Sequence, residues 1–329
     1  MIHPEVHAKR SLFRRAGSRL KRLVKQVLRP GQHQQASRLA PKVDEWSIGI
    51  YFGKSPYAFS PNEAISNPVL TRHSVSDVVA SYVADPFMVP VGGEWYMFFE
   101  VLNRQTRKGQ IGLATSRNGL TWTYRQIVLD EPFHLSYPYV FQWRSGWYMV
   151  PESCAKNAIR LYRAEPFPTR WVYVRDLIPN CDHADPSLIY HNERWWLFAS
   201  SGNTKRKADN LHVFHANDLH GEWTEHAQSP VVRDNTEIAR PGGRILFLGD
   251  RLVRYTQDCR TVYGHQVRAI RIDDLSLNRY VETPISDAPV VRAGMEHWNE
   301  IGMHHVDAHC IADNRWMACV DGWRLNSQT

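Results

Sequence analysis

Carboxylates, histidines and one arginine recur in this chain at the edges of short apolar runs. Asp85 stands in ADPFMV, Tyr137 in SYPYVF, Asp185 in ADPSLI, Arg240 in ARPGGR and His305 in HHVDAH. Glu100, Glu152 and Asp258 follow, each closing an aromatic-rich run: WYMFFE, WYMVPE and RYTQD. Gathered in one pocket, such carboxylates suit glycosyl chemistry. The transition state is oxocarbenium-like, so one group must handle a proton on oxygen while a second carboxylate activates the acceptor or stabilises positive charge. Asp85 and Asp185 could divide those roles, with Glu152 as a third catalytic candidate. The alternative is structural: an Asp before Pro caps a turn, and Pro starts a strand where no donor is needed.

Glu152 and His134 set polar atoms between apolar neighbours, to meet substrate or to satisfy a partner inside the fold. In ARPGGR two glycines allow close backbone approach, and the Arg240 guanidinium fits a carboxylate or phosphate, whether of a ligand or of an ion pair. His304, His305 and His309 with Asp307 are residue types that ligate metals; packing or substrate contact is the reading taken, and no metal is assigned. Glycine-rich phosphate loops and the G-x-S-x-G elbow are missing, which disfavours nucleotide-fold enzymes and serine hydrolases.

The elements that must position these residues show as a repeat. Five copies of one pattern occur, in which a polar residue, usually followed by Pro, leads an apolar strand, a Gly/Asn/Asp turn and an aromatic strand. They span 84–100, 136–152, 184–200, 240–258 and 305–321, with anchors at Asp85, Tyr137, Asp185, Arg240 and Val306 spaced 52, 48, 55 and 66 residues apart. Each unit has room for four antiparallel strands. S-x-N-G-x-x-W at 116–122 and L-x-G-x-W at 219–223 supply outer hairpins. Radial repetition of such units gives an all-β, five-bladed propeller over residues 44–329, with the strand near Trp46 completing the last blade. The first strand of each blade then lines a central channel and the anchors converge on one funnel. Glu100, His134, Tyr137, Arg240, Asp258, His304, His305 and Asp307 are the expected substrate-binding residues.

Twelve Trp and fourteen Tyr in 329 residues fit aromatic strands. Five cysteines without C-x-x-C spacing suggest neither a disulfide framework nor a zinc site, and fit a reducing compartment. The net charge of +7 is concentrated: residues 1–32 hold nine Lys or Arg against Glu5 alone. Within them, Leu12, Phe13, Ala16, Leu20, Leu23, Val24, Val27 and Leu28 form a helical apolar stripe opposite a cationic face. This basic amphipathic helix is expected to rest on an anionic membrane through residues 9–29, before a linker at 33–43. A solvated tail, a nucleic-acid arm or a packed helix are its other readings. No secretory signal or long apolar span is evident, so the expected location is cytoplasmic, peripheral at the inner membrane face.

NPVL followed by ADPF, the later ADPS and the motif GMHH resemble the five-bladed propellers of glycoside hydrolase family 43. FFE, HLSYPYVF, PES, RLYRA-x-PFP-x-x-W, ARPGGR, RYTQDC-x-x-x-YG and GMHH are together similar to the N-terminal domain of glucosamine inositolphosphorylceramide transferases and its bacterial relatives. The hydrolase resemblance implies Asp85 as the base. It leaves the other two roles unfilled, because Tyr137 and Asp185 stand where that family has an Asp and a Glu. The expectation is a carbohydrate-active enzyme, a glycosyltransferase of surface polysaccharide or glycolipid synthesis. A glycan or lipid-linked sugar is its partner, a sugar nucleotide its donor, and no nucleic acid is involved. The alternatives are a hydrolase and a non-catalytic glycan-binding propeller.

Overall fold

The structure, a computed structural model, describes residues 42–202 and 209–327. The basic arm of residues 1–32, including the membrane-contacting 9–29, lies outside them. The first strand begins at Lys42, two residues inside the stretch expected as linker, because it pairs there with the strand that ends the described chain.

The chain opens with β1 (Lys42–Ser55) and β2 (Ala58–Pro61), then builds four consecutive sheets. Blade I holds β3 (Ala80–Val91), β4 (Glu94–Asn103), β5 (Gly109–Ser116) and β6 (Thr123–Leu129). Blade II holds β7 (Ser136–Trp143), β8 (Gly146–Glu152), β9 (Ala158–Ala164) and β10 (Trp171–Pro179). Blade III holds β11 (Ala184–His191), β12 (Arg194–Ser201), β13 (Asn210–Ala216) and β14 (Thr224–Glu225). Blade IV holds β15 (Leu246–Leu248), β16 (Arg251–Asp258), β17 (Gln266–Leu275) and β18 (Tyr280–Pro284), with β19 (Val291–Arg292) beside β17. Blade V takes β20 (Val306–Ala312) and β21 (Arg315–Ser327) from late in the chain and β1 and β2 from its start. Pairing of β1 with β21, from Lys42↔Ser327 to Gly53↔Trp316, closes the ring as the strand near Trp46 implied. Each copy of the sequence repeat thus supplies the first two strands of a blade. Helical structure among the described residues is limited to three 3-10 turns, and none is long and apolar enough to cross a membrane.

Five apolar seams hold the blades together, and both faces of the second strands are buried. In β4, Met97, Phe99 and Val101 pack into the seam between blades V and I, while Phe98 faces blade II. In β12, Trp195, Leu197 and Ala199 face blade II, and Trp196 and Phe198 face blade IV. Side chains alternate across a strand, so a strand buried on both sides reads as a continuous aromatic run. Each such side chain removed from water contributes about 1.5–3 kcal/mol. The outer hairpins form as the motifs require: Ser116 Oγ accepts the Gly119 N–H at 2.9 Å, and Trp122 Nε1 donates to Gly119 O at 3.0 Å.

The fourth copy departs from the repeat. Its inner segment is regular only over β15; upstream it makes isolated bridges, Pro241 with Thr256 and Gly243 with Val306 of blade V. Gly243 has φ 145°, and a Cβ there would lie 1.8 Å from Val306 O, so only glycine permits this approach.

Candidate functional site

Three inner strands enter the ring through the same backbone device. Asp85, Tyr137 and Asp185, each before a proline, adopt left-handed φ values of 53°, 45° and 54°, and each sits at a break in register between its strand and the next. Such conformations cost about 1–3 kcal/mol and persist only where surroundings hold them. At two of the three a buried carboxylate does the holding: Asp321 Oδ2 accepts the Asp85 N–H at 3.0 Å, and Asp85 Oδ2 accepts the Tyr137 N–H at 3.3 Å.

At the funnel mouth lies a pocket of about 390 Å³ lined by Asp85, Glu100, Glu152, His134, Arg240 and His304, with rings from Trp46, Tyr82 and Tyr263. Asp85 is 7% exposed. Burial, reinforced by the charges of Asp321 and Asp185 against those of His304 and Arg240, pushes its carboxyl up to about 7. Burial also drives Glu100 well above the usual carboxylate range, helped by the nearby charges of Asp85 and Glu152. The Tyr82 hydroxyl donates to Glu100 Oε1 at 3.3 Å, and His134 Nε2 lies 3.4 Å from the same atom. His134 Nδ1 accepts the Gly109 N–H at 2.9 Å, so the neutral ring carries its proton on Nε2, facing Glu100. Glu152 is oriented by the Ser136 hydroxyl and the Cys154 N–H, both at 3.0 Å.

His304 is stacked on Trp46, ring centroids 3.9 Å apart. Its Nδ1 lies 2.9 Å from Asp321 Oδ2 and 3.8 Å from Asp85 Oδ1. Burial opposes its charged form, but the Asp321 and Asp85 carboxylates outweigh that and raise its pKa. Asp85, His304 and Asp321 are the group among the described residues whose ligand atoms could converge on one cation, lying within 4.8 Å of one another. Asp321 already spends its oxygens on the Asp85 and His304 N–H groups and the His304 ring, which fits a hydrogen-bonded unit.

Several expected site residues lie elsewhere. Asp185 is 1% exposed and sits behind Arg240, whose Nε is 2.5 Å from Oδ2, with Gln257 Nε2 at 2.8 Å. It is therefore the counter-ion of a pocket arginine, and Arg240 is what faces the pocket, over the Tyr263 ring at 5.1 Å. Tyr137 is buried, its hydroxyl bonded to Ser187 Oγ at 2.9 Å and to the Gly243 backbone. His305 is buried edge-on to Phe87 and Tyr137, and burial lowers its pKa to about 4. Asp307 forms a two-pronged pair with Arg244 at 2.6 and 3.3 Å and accepts the Met88 N–H at 2.7 Å. Asp258 is held by Arg260, Gln266 and Arg268 within 3.0 Å. Burial works against its charge, but these donors keep it well below the usual range. None of these five lines the pocket. Asp185, Tyr137, Asp307 and Asp258 are taken by partners distant in sequence or on the next strand, while His305 is packed among rings with neither ring nitrogen hydrogen-bonded.

Asp321 was not singled out from the sequence, nor were Tyr82, Tyr263 and Trp46. A signal for Asp321 existed: it follows His305 by the sixteen residues that separate Ala84 from Glu100 and Ser136 from Glu152.

The fold is a five-bladed β-propeller with an acidic funnel at its centre. A solved glycosyl hydrolase from Bacteroides ovatus superposes with a TM-score of 0.58 over 80% of this chain and 93% of its own, at 12% identity, a likeness of fold alone. The chain belongs to the family described as glucosamine inositolphosphorylceramide transferase 1, N-terminal, which matches residues 41–323. It is 36% identical over 301 residues to glucosamine inositolphosphorylceramide transferase 1 of Oryza sativa subsp. japonica and 33% identical over 318 residues to that of Arabidopsis thaliana. The matches cover 86% and 90% of this chain but only 40% and 41% of those relatives.

Unfolded, Asp85 ionises near pH 3.9, about the usual value; folded, it holds its proton to about 7. Between those values the native state binds the extra proton, so this group makes stability fall as pH rises through the window and levels off above it. Asp85→Asn has no proton to lose. Its melting temperature relative to the parent should therefore climb between pH 4 and 7.5, and a difference constant across that range would contradict the burial of a neutral Asp85.

Proposed function

We propose that this chain is a glycosyltransferase whose reaction takes place in the funnel pocket. The observation that carries the reading is a desolvated carboxyl, Asp85, ionising near neutrality beside Glu100 and Glu152 in a ring-lined pocket. The relatives in Oryza sativa and Arabidopsis thaliana are named as glucosamine inositolphosphorylceramide transferases, which favours transfer over hydrolysis and a glycolipid acceptor.

In this mechanism Asp85 in its ionised form takes the proton of an acceptor hydroxyl as that oxygen bonds to the anomeric carbon. The bond from that carbon to the phosphate of a sugar-nucleotide donor breaks, and the phosphate leaves with the electron pair. Glu152, fixed by Ser136 and the Cys154 N–H, faces the positive charge that develops on the sugar ring. Arg240 offers its guanidinium to the departing phosphate, while Asp185 neutralises it from behind. In the second reading a glycoside replaces the nucleotide donor and water the hydroxyl. Asp85 takes the proton of the water as its oxygen bonds to the anomeric carbon, and Glu100, which burial keeps protonated, gives its proton to the departing glycosidic oxygen. The likeness of fold to a glycosyl hydrolase favours this hydrolysis.

Incubation of the full chain with a panel of nucleotide sugars and lipid-linked acceptors should give donor-dependent product. Asp85→Asn should lower it by about 10²–10⁴-fold, the usual worth of a positioned acid–base group, and Glu152→Gln should lower it too. Free sugar released without any nucleotide donor would replace transfer by hydrolysis; product unchanged in both variants would remove the funnel from the chemistry.

The setting we propose is the cytoplasmic face of the inner membrane, in surface polysaccharide or glycolipid synthesis. The support is the concentration of nine basic residues and an apolar stripe in residues 1–32. The chain should co-sediment with phosphatidylserine vesicles and be released by salt. Retention unchanged after residues 1–32 are removed would refute the arm as the anchor.

A further inference from the structure

A second cavity, of about 600 Å³, opens between blades II and III. Its floor is the stacked ring pair His183 and His212, centroids 4.4 Å apart, with Phe214 5.6 Å from His183. Asn180, Asp182 and Glu225 stand among its polar lining residues.

This cavity and the funnel share their walls. Asp182 lines both. The short turn after Glu152 runs from Cys154 in the funnel to Asn157 in the cavity, and the Asn157 N–H donates to Cys154 O at 2.7 Å. Ser200 and Gly202 line the funnel, and Ser201 between them meets His212 Nε2 at 2.8 Å. The cavity is also preformed. Asn157 and Asn180 take left-handed backbones at φ 58° and 56°, and the Cys181 N–H donates to Asn157 O at 3.0 Å, joining the two loops. The other His212 nitrogen, Nδ1, is 2.8 Å from Glu225 Oε1, so the ring is held on both sides.

We propose that this groove is a second sugar subsite, continuous with the funnel, that binds the next glycosyl unit of an acceptor or product. The inference rests on the funnel's being a glycan site. Imidazole and phenyl rings present apolar bodies to the carbon face of a pyranose, and the polar rim of Asn180, Asp182 and Glu225 meets its hydroxyls. Asp182 and Glu225 are 64% and 49% exposed at the side chain, so the rim carries two carboxylates that repel an anionic sugar. The unit accepted is therefore one without negative charge, a neutral or amino sugar and not a uronate or phosphosugar. A pocket in the size range of ordinary ligand sites beside another of that range accommodates two connected rings.

The test uses the full chain with neutral gluco-, manno- and galacto-configured mono-, di- and trisaccharides and their uronate counterparts, followed by NMR of the ring protons. Monosaccharides should shift Trp46 and Tyr263 only. Neutral di- or trisaccharides should also shift His183 and His212 and bind about tenfold tighter, some 1.4 kcal/mol. The uronates should lack that gain. Glu225→Gln and His183→Ala should abolish the gain and leave monosaccharide affinity intact. Should His183→Ala fail to fold, Glu225→Gln and the parent's ring shifts decide. Longer saccharides that bind no tighter and leave both histidines unmoved would overturn the subsite while the funnel reading stands; saccharides that move no ring at all would overturn both.

Discussion

The structure depends on buried carboxylates that accept backbone N–H groups from a neighbouring blade. Asp321 of blade V takes the N–H of Asp85 in blade I, Asp85 takes that of Tyr137 in blade II, and Asp307 of blade V takes that of Met88 in blade I. A buried N–H without a partner is costly, and the bonds to Asp321 and Asp307, whose carboxyls stay ionised, are of the charge-assisted kind, about twice as strong as neutral ones. The first two of the three bonds stabilise left-handed residues at which inner strands enter, Asp85 and Tyr137. The device that fixes the ring's centre also sets the funnel.

Burial then turns architecture into chemistry. Aromatic seams exclude water from both faces of the second strands, and Phe87, Tyr137, His305 and the Arg244–Asp307 pair fill the centre of the ring. Two outcomes follow for carboxylates in one small volume. Where an arginine is in contact, as for Asp307, the charge is kept and neutralised; where none is, as for Asp85 and Glu100, the proton is retained toward neutral pH. Carboxyls whose environments push their pKa values apart are what acid–base work on a sugar requires.

Much of this was legible in the residues. Five copies of a Pro-led strand, turn and aromatic strand located the first two strands of every blade, because turn chemistry and two-faced burial are local. The fourth copy misaligned, since Gly243 departs to touch Val306, a contact no spacing announces. The funnel membership of Asp85, Glu100, Glu152, His134, Arg240 and His304 followed from register. Asp185, Asp258 and Asp307 did not, because their fate is set by Arg240, Arg268 and Arg244, which other segments of the chain place. Tyr137 looked like an anchor, yet its hydroxyl reaches across the ring to Gly243.

Glycosyl chemistry in the funnel stands or falls with the ionisation of one side chain. Carbon-detected NMR of the Asp85 carboxyl across a pH titration of the full chain reads it directly. A midpoint near 7 is the result this account predicts. A midpoint near 4, the ordinary carboxylate value, would show Asp85 charged and solvated, and would contradict its part in proton transfer.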